Sequence, residues 1–423
     1  MTNLNDLHIE SDILGIFDNT LNAFTKNRLI DILSAPLESV EEINRRQQIL
    51  KAFLANKKLL ERYYYNRLDF HDIQTLLTSS DDTKINLRFK AALFFHNDRR
   101  NATKGIYIQL IIFLQQQYTL LSNFDDFSLF PSAYKQELDT LERYFLHFEL
   151  DFFSNLIREK KFKIHHLIIL KKKINALQQT GETEEFFERL FTFESLLSIS
   201  QSIHKQDFIF PNVGDYVFSI NGVYHPLLTN PIRNNITLDK QVALITGSNM
   251  AGKSTFLKSI GICVYLGHLG VAIPAEEAEF PFFQDIYVYI NHTDDLQRGY
   301  SHFINEIKNL KEAVQAASEG SPVFAIFDEI FKGTNMNDAL DITRTTVQGL
   351  ARFSKSMFLI STHMDELKDM EPTSFSSYFL DCKVENGIPA FSYRLNEGWS
   401  SVQIGKLLFK NEGLYDMLQK NKG

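Results

Sequence analysis

Hydrophobic residues recur at helical spacing almost without interruption from the N-terminus to about Ile203, and glycine and proline are scarce over that stretch. The run APLESVEEINRRQQILKAFLAN at residues 35–56 shows the logic. Pro36 precedes the start, Ser39 and Glu42 have capping-box spacing, and Ile43, Leu50, Phe53 and Leu54 recur on one face. That pattern predicts one helix with one buried stripe. Further helices are predicted over residues 104–121, 132–161 and 184–204, separated by polar breaks such as SNFDDFS and QQTGET. No repeat of fixed period is evident.

The pattern changes near KQDFIFPNVGDY, where short runs rich in β-branched and aromatic residues begin to alternate with helical ones. The expected division is therefore a helical domain over 1–205 and an α/β domain over 206–423. QVALIT, VFAIFDE and SMFLISTH read as interior strands of a sheet covered on both faces, because each is a continuous apolar run. Their polar ends should gather at one edge of that sheet. SYFLDCKVENGIPAFSYRL reads as a hairpin about Asn386-Gly387, with Pro389 best placed on an edge strand.

Composition narrows the classes of function. A chain of 423 residues exceeds one compact domain, and 44% hydrophobic content with 37 Phe excludes a disordered chain. The start MTNLNDLHIESD lacks the basic and apolar regions of a secretory leader, so a cytoplasmic protein is expected. GIYIQLIIFLQQQY and ICVYLGHLGVAI fall short of the roughly 18–20 apolar residues that span a bilayer, so no membrane association is expected. Cys263 and Cys382 stand far apart, which suits two reduced, packed thiols better than a disulfide or a zinc site. A net charge of −8 repels nucleic acid as a whole, so contact with DNA would need a local basic patch. The candidate is REKKFKIHHLIILKKK, Arg158 to Lys173, for which a solvated helix face remains the alternative.

The candidate chemistry begins at Gly247. Gly247, Ser248, Asn249, Met250, Ala251, Gly252, Lys253 and Ser254, followed by Thr255, match G-x-x-x-x-G-K-[ST] between a predicted strand and a predicted helix. Glycines let backbone wrap phosphates, and successive amides at a helix start supply positive potential. Lys253 would reach the β- and γ-phosphates, with Ser254 on Mg2+. Asp328 ends the run VFAIF, where a carboxylate can hold a metal's water shell, and the adjacent Glu329 suits polarisation of attacking water. An exposed acidic pair at a helix start is the alternative. His363 ends FLISTH and would emerge beside those acids if the two strands are neighbours, in a position to sense the γ-phosphate; a packing role is the other reading. Ser301 opens a helical pattern and is first an N-cap candidate. His165 and His166 show no metal-ligand spacing.

Together these motifs resemble the MutS family of DNA mismatch-repair ATPases, which are related to ABC-type ATPases. ITGSNMAGKSTFLK is similar to the family's phosphate loop, FDEIFKGTN to its Asp-Glu motif, STHMDEL to its Thr-His segment and DDLQRGYSHFINEI to its signature helix. VYHPLL and IRNNITL resemble the approach to the first strand, and VENGIPAFSYRLNEGWSSVQIGKLL the closing hairpin and helix. LGIFDNTLNAFTKNRLIDILSAPLESVEEINRRQQILKAFLAN is similar to the opening of the family's helical core. The resemblance covers about residues 12–55 and 210–412, with the helical middle placed by inference.

It implies a multidomain α and α/β protein: an all-helical core/lever domain, then an ABC-like P-loop ATPase domain whose mixed sheet is flanked by helices. Residue by residue, it assigns Lys253 and Ser254 to phosphate and Mg2+, Asp328 to Mg2+, Glu329 to the attacking water and His363 to γ-phosphate sensing. Ser301 would act in trans on nucleotide held by a second copy, which implies a homodimer. Ile232 and Asn234, with Pro231, fall where the family holds adenine. The family's mismatch-reading domain has no room in this chain, and the clamp region is expected to be shortened. The implied function is ATP binding and hydrolysis coupled to DNA, in mismatch repair or related maintenance. An action on branched DNA or a protein partner without mismatch recognition stays open. A transport-ATPase subunit lacks its L-S-G-G-Q signature here, and a small-molecule kinase suits the Asp-Glu pair poorly.

Overall fold

The computed structural model describes residues 4–79, 97–215, 217–248, 250–290, 302–370, 374–385, 388–400 and 404–419. It contains two compact units, one of Ile16–Ser34 with Arg45–Lys205, the other of Met1–Gly15, Ala35–Asn44 and Gln206–Gly423. Two early segments thus belong with the later unit.

The helical region comprises α1 (Ala23–Ser34), α2 (Val40–Ala55), α3 (Lys57–Arg62), α4 (Arg67–Thr78), α5 (Asn97–Ser122), α6 (Ser132–Leu146), α7 (Leu150–Arg158), α8 (Ile164–Gln179) and α9 (Glu182–Gln206). The predicted cap of α2 forms: Glu42 N–H donates to Ser39 Oγ at 3.2 Å. The return bond is displaced, because the Glu42 carboxylate takes the N–H of Glu38 at 3.1 Å and not that of Ser39. Ile43, Leu50 and Phe53 are fully buried, while Leu54 is half-buried.

The single helix expected over 132–161 is two. Phe148 and Phe153 are five residues apart and would lie about 140° apart on one continuous helix. A left-handed Glu149, φ 47°, breaks the helix between them, and both rings are buried. The same break changes the basic segment. Lys161 pairs with Glu159 at 2.8 Å, Lys173 pairs with Glu149 at 2.9 Å, and Lys171 is 4% exposed. Arg158, Lys160, Lys163 and Lys172 remain exposed.

Helix α9 is buried on nearly every face, and its Glu194 sits in the core with 5% exposure. A buried carboxylate is costly unless donors surround it. Here Thr25 Oγ1, Tyr63 OH at 2.6 Å and Asn22 Nδ2 at 3.0 Å donate to it, tying α9 to the start of α1 and to the turn after α3.

The second unit carries β1 (Asn212–Gly214), β2 (Phe218–Val223), β3 (Asn234–Leu238), β4 (Val242–Thr246), α10 (Lys253–His268), β5 (Glu277–Pro281), β6 (Asp285–Tyr289), α11 (His302–Ser318), β7 (Val323–Asp328), α12 (Met336–Leu350), β8 (Met357–Ser361), β9 (Ser376–Glu385), β10 (Ile388–Glu397), α13 (Ile404–Asn411) and α14 (Leu414–Gln419). One sheet has the order β1-β5-β2-β3 and the other β10-β9-β4-β8-β7-β6. In the larger sheet, β9, β4, β8, β7 and β6 run parallel, and β10 is antiparallel at the edge. This is the expected mixed sheet flanked by helices. All three predicted interior strands are present as β4, β7 and β8, with β4 and β7 buried at every position. Pro389 lies on edge strand β10, and Glu385 pairs with Ile388; Asn386 and Gly387 lie outside the described residues. Helix α10 packs closely on the sheet at Gly261, where an added Cβ would sit 3.3 Å from Ile326 and 3.4 Å from Val288. Among the described residues, no helix is long and apolar enough to cross a membrane.

The Glu194 cluster yields a stability prediction. Burial raises its pKa above the ordinary carboxylate value, against the opposing pull of the hydrogen bonds from Thr25, Tyr63, Tyr65 and Asn22. A raised folded-state pKa contributes stability below the unfolded value and loses it as pH rises through the folded value. Thermal unfolding of the wild type should therefore occur at progressively lower temperature from mildly acid to neutral pH, relative to Glu194→Gln. Parallel profiles for the two proteins would refute this. Glu194→Ala should cost about 2–4 kcal/mol at mildly acid pH, since it leaves several buried donors unpaired, and less at neutral pH.

Candidate functional site

Strand order builds the site. β4, β8 and β7 are parallel neighbours, with Ile245 opposite Ser361 and Ser361 opposite Asp328. The loop after β4, the Thr362-His363 pair after β8 and the Asp328-Glu329 pair at the end of β7 therefore emerge at one edge.

Residues 247–252 form the connection from β4 to α10. Gly247 has φ 135° and Gly252 φ 91°, both disfavoured for residues with a side chain. A Cβ would meet Leu380 O at 3.2 Å from the first and the Tyr393 ring at 3.2 Å from the second. Ala251 is buried and donates its N–H to Ser248 O at 3.0 Å, whereas Met250 is 61% exposed. Ser248 Oγ is buried without a hydrogen-bond partner among the described residues. Asn249 lies outside the described residues, as does Ser301, which precedes α11.

Lys253 is only 2% exposed. Its ammonium donates to Gly247 O at 3.0 Å and Ser248 O at 3.2 Å, and lies 3.2 Å from His363 Nε2 and 3.3 Å from Glu329 Oε1. Burial pushes its pKa down to about 8, with Asp328 opposing and Lys332 reinforcing that shift. His363 is pushed down to about 4 by burial, then by Lys253 and Lys332, so its ring is neutral near pH 7. Its Nε2 lies in hydrogen-bonding contact with Glu329 Oε1.

The next residue, Ser254, donates from Oγ to Asp328 Oδ2 at 2.5 Å. Ser361 Oγ donates to the other oxygen of Asp328 and accepts the N–H of Glu329 at 2.9 Å. Glu329 is 8% exposed and left-handed, φ 55°, a backbone state that costs about 1–3 kcal/mol for a non-glycine residue. The ammonium of Lys332 sits against its second oxygen. Two oxygen donors in contact, Ser254 Oγ and Asp328 Oδ2, suit a hard divalent cation. The glycine turn that a Cβ would obstruct, with a buried ammonium beneath it, suits phosphate.

A cavity of about 370 Å³ adjoins this loop, lined by Ala251, Gly252 and Thr255 on one side and by Pro231, Ile232 and Tyr393 on others. Asn234 also lines it, but its side chain is already engaged: Nδ2 donates to Tyr393 O at 3.0 Å, and Oδ1 accepts from Leu395 N–H at 2.8 Å. Those bonds span the irregularity between Phe391 and Leu395 where β10 leaves register with β9. Tyr393 sits inside that bulge with φ 55°, which brings its ring to Gly252.

The structure brings together Lys253, Ser254, Asp328, Glu329 and His363, and it adds three residues that sequence reasoning missed. Ser361 immediately precedes Thr362-His363, so its polarity at a strand end was a readable signal. Lys332 stood in the Asp-Glu motif without an assigned role. Tyr393 carried no signal, because its approach depends on a bulge that local pattern does not encode. The other histidine pair has a structural use: His166 Nδ1 accepts the N–H of Lys163 at 3.0 Å, and its ring packs near Phe153 and Phe162. Among the described residues, no group of three or more His, Cys, Asp or Glu could hold a metal ion. Cys263 and Cys382 are free and buried.

Comparison with known proteins agrees with this geometry. Residues 243–413 match the family model of MutS domain V. The DNA mismatch repair protein MutS of Caldicellulosiruptor saccharolyticus is 27% identical over 453 residues, covering 94% of this chain and 51% of its own. That of Exiguobacterium sp. is 30% identical over 284 residues, 64% of this chain and 33% of its own, and that of Lactococcus lactis subsp. lactis is 27% identical over 269 residues, 61% and 32%. The chain thus spans about half of the first relative's length and about a third of the other two. The β4-to-α13 segment is thus matched as MutS domain V, and similarity to a DNA mismatch repair protein MutS runs along nearly all of the chain.

Proposed function

We propose that this chain binds and hydrolyses ATP and couples the nucleotide state to DNA. One observation carries the reading: Lys253, Ser254, Asp328, Glu329 and His363 converge at one sheet edge, between a glycine cradle and a cavity. Gly247, Ser248, Asn249, Met250, Ala251 and Gly252 would wrap the phosphates with Thr255 beside them, and the cavity walled by Ile232 and Tyr393 would take the base. Asn234 then acts indirectly, by fixing the bulge that carries Tyr393.

Ser254 and Asp328 would hold Mg2+, which supplies charge neutralisation on the phosphates when bound. Lys253 exchanges its carbonyl and Glu329 partners for phosphate oxygens, a gain because a buried ammonium binds an anion more strongly than a carbonyl. Glu329, freed on that side, orients and polarises water. Neutral His363 can donate toward the γ-phosphate from the nitrogen now on Glu329. Residues 1–205, apart from the two early segments that belong with the later unit, are assigned as the core/lever domain and 206–423 as the ATPase domain. Ser301, acting in trans across a homodimer, completes the proposed machinery in a cytoplasmic protein.

DNA contact is assigned to the exposed cations Arg158, Lys160, Lys163 and Lys172. Pairing of Lys161 and Lys173 with acids trims this patch and favours a second reading, in which the partner is branched DNA or another protein and mismatches are not read.

Glu329→Gln should bind ATP with near-normal affinity and hydrolyse it about 10²–10⁴ times more slowly in single-turnover assays. Normal turnover in that variant would assign the water to another group. Asn234→Ala should release the β10 bulge and weaken ATP binding about tenfold, or about 1.4 kcal/mol, by titration calorimetry, with Tyr393→Ala matching it. Undiminished affinity in both would remove the base from this cavity. If DNA is the partner, duplex or branched DNA should alter the ATPase rate, and affinity should fall steeply with salt. Replacing Lys160, Lys163 and Lys172 by Glu should abolish both effects, and insensitivity to every DNA at low salt would exclude the first reading.

A further inference from the structure

The turn after β7 holds two non-glycine residues in left-handed backbone, Glu329 with φ 55° and Phe331 with φ 65°. A bulky residue keeps that conformation only where its surroundings over-determine it. Phe331 is 1% exposed, and its ring meets that of Phe303 edge-on, with centroids 6.2 Å apart and planes at 67°. Two residues later, Gly333 passes so close to α11 that a Cβ there would lie 2.7 Å from Phe303 Cβ and 3.0 Å from its backbone nitrogen. The turn is therefore clamped to the first turn of α11 at two points. Between them the chain faces outward, and Lys332 folds back from that exposed position onto Glu329. At its other end the turn is fixed by Ser361, which receives the N–H of Glu329.

We propose that Phe331, seated on Phe303, is a positioning residue for hydrolysis: its buried ring holds the left-handed turn that aims the Glu329 carboxylate at Lys253 and His363. The inference rests on the assignment of Glu329 to the attacking water. Phe331 is not among the residues that line the cavity beside the loop, so its contribution falls on turnover and not on nucleotide binding. Glycine at this position would accept the same φ without strain. It would also remove the ring that selects this conformation over the others open to glycine. A carboxylate displaced by about 1 Å can lose on the order of a hundredfold in rate, so a loosened turn is a measurable defect.

The test compares steady-state ATP hydrolysis and nucleotide affinity in the full chain for Phe331→Gly, Phe303→Ala, the double variant and Phe331→Leu, with thermal unfolding as the folding control. Phe331→Gly is expected to lower kcat about tenfold or more while KM and Kd stay within about twofold. Phe303→Ala should act in the same direction, and the double variant should be no slower than the worse single one, because both remove one contact. Phe331→Leu restores apolar volume and should recover part of kcat. A folded Phe331→Gly with wild-type kcat, a parallel loss of affinity and turnover, or additive effects in the double variant would overturn the proposal. Should Phe331→Gly not fold, Phe303→Ala and Phe331→Leu decide it by the same split between kcat and KM. The two assignments fail separately: normal turnover in Glu329→Gln removes the assignment of the water, whereas normal turnover in Phe331→Gly alone removes only the positioning role.

Discussion

At 2% exposure the ammonium of Lys253 is cut off from bulk water, and every group around it is arranged to make that tolerable. Two loop carbonyls, the Glu329 carboxylate and the neutral ring of His363 lie within 3.3 Å of it. To supply them, the loop after β4 must curl back over the start of α10, which needs the positive φ of Gly247 and Gly252. The acids must also arrive from β7, one strand beyond β8, which needs β7 and β8 to run parallel to β4. A single desolvated cation thus ties together loop conformation, strand order and the position of the acidic pair.

Much of this was legible in the chain. Continuous apolar runs ending in polar residues mark parallel interior strands, since a strand buried on both faces has no alternation to show. The Gly-Lys-Ser pattern, Asp328-Glu329 and His363 are each sequence-local, so their identity and approximate place could be read. What could not be read was how they are oriented. Phe331 and Tyr393 adopt left-handed backbone, φ 65° and 55°, because of packing and bonding to distant residues, and no local preference predicts it. Asn234 illustrates the same limit: its place beside the cavity was expected, but its commitment to the backbone of β10 follows from a bulge 159 residues later. The break at Glu149 was missed for a related reason, since helical periodicity on both sides hides a reorientation that only the shared core demands.

Two of the buried ionisable groups, Glu194 and Lys253, show how differently such a group can be stabilised. Glu194 is surrounded by neutral donors, Thr25, Tyr63 and Asn22, whose positions are fixed by helix packing. No ligand could replace those donors without dismantling the helical core, so the cluster acts as a pin. Lys253 is held by groups of another kind: carbonyls with lone pairs to spare, a carboxylate also shared with Lys332, and a ring on an exposed loop. Each can let go at modest cost, and an incoming phosphate would offer the ammonium a charged partner in place of two neutral carbonyls. Burial makes both charges expensive. The exchangeable shell around Lys253 is what suits it to the proposed phosphate site, while the fixed shell around Glu194 confines the other to holding helices in place.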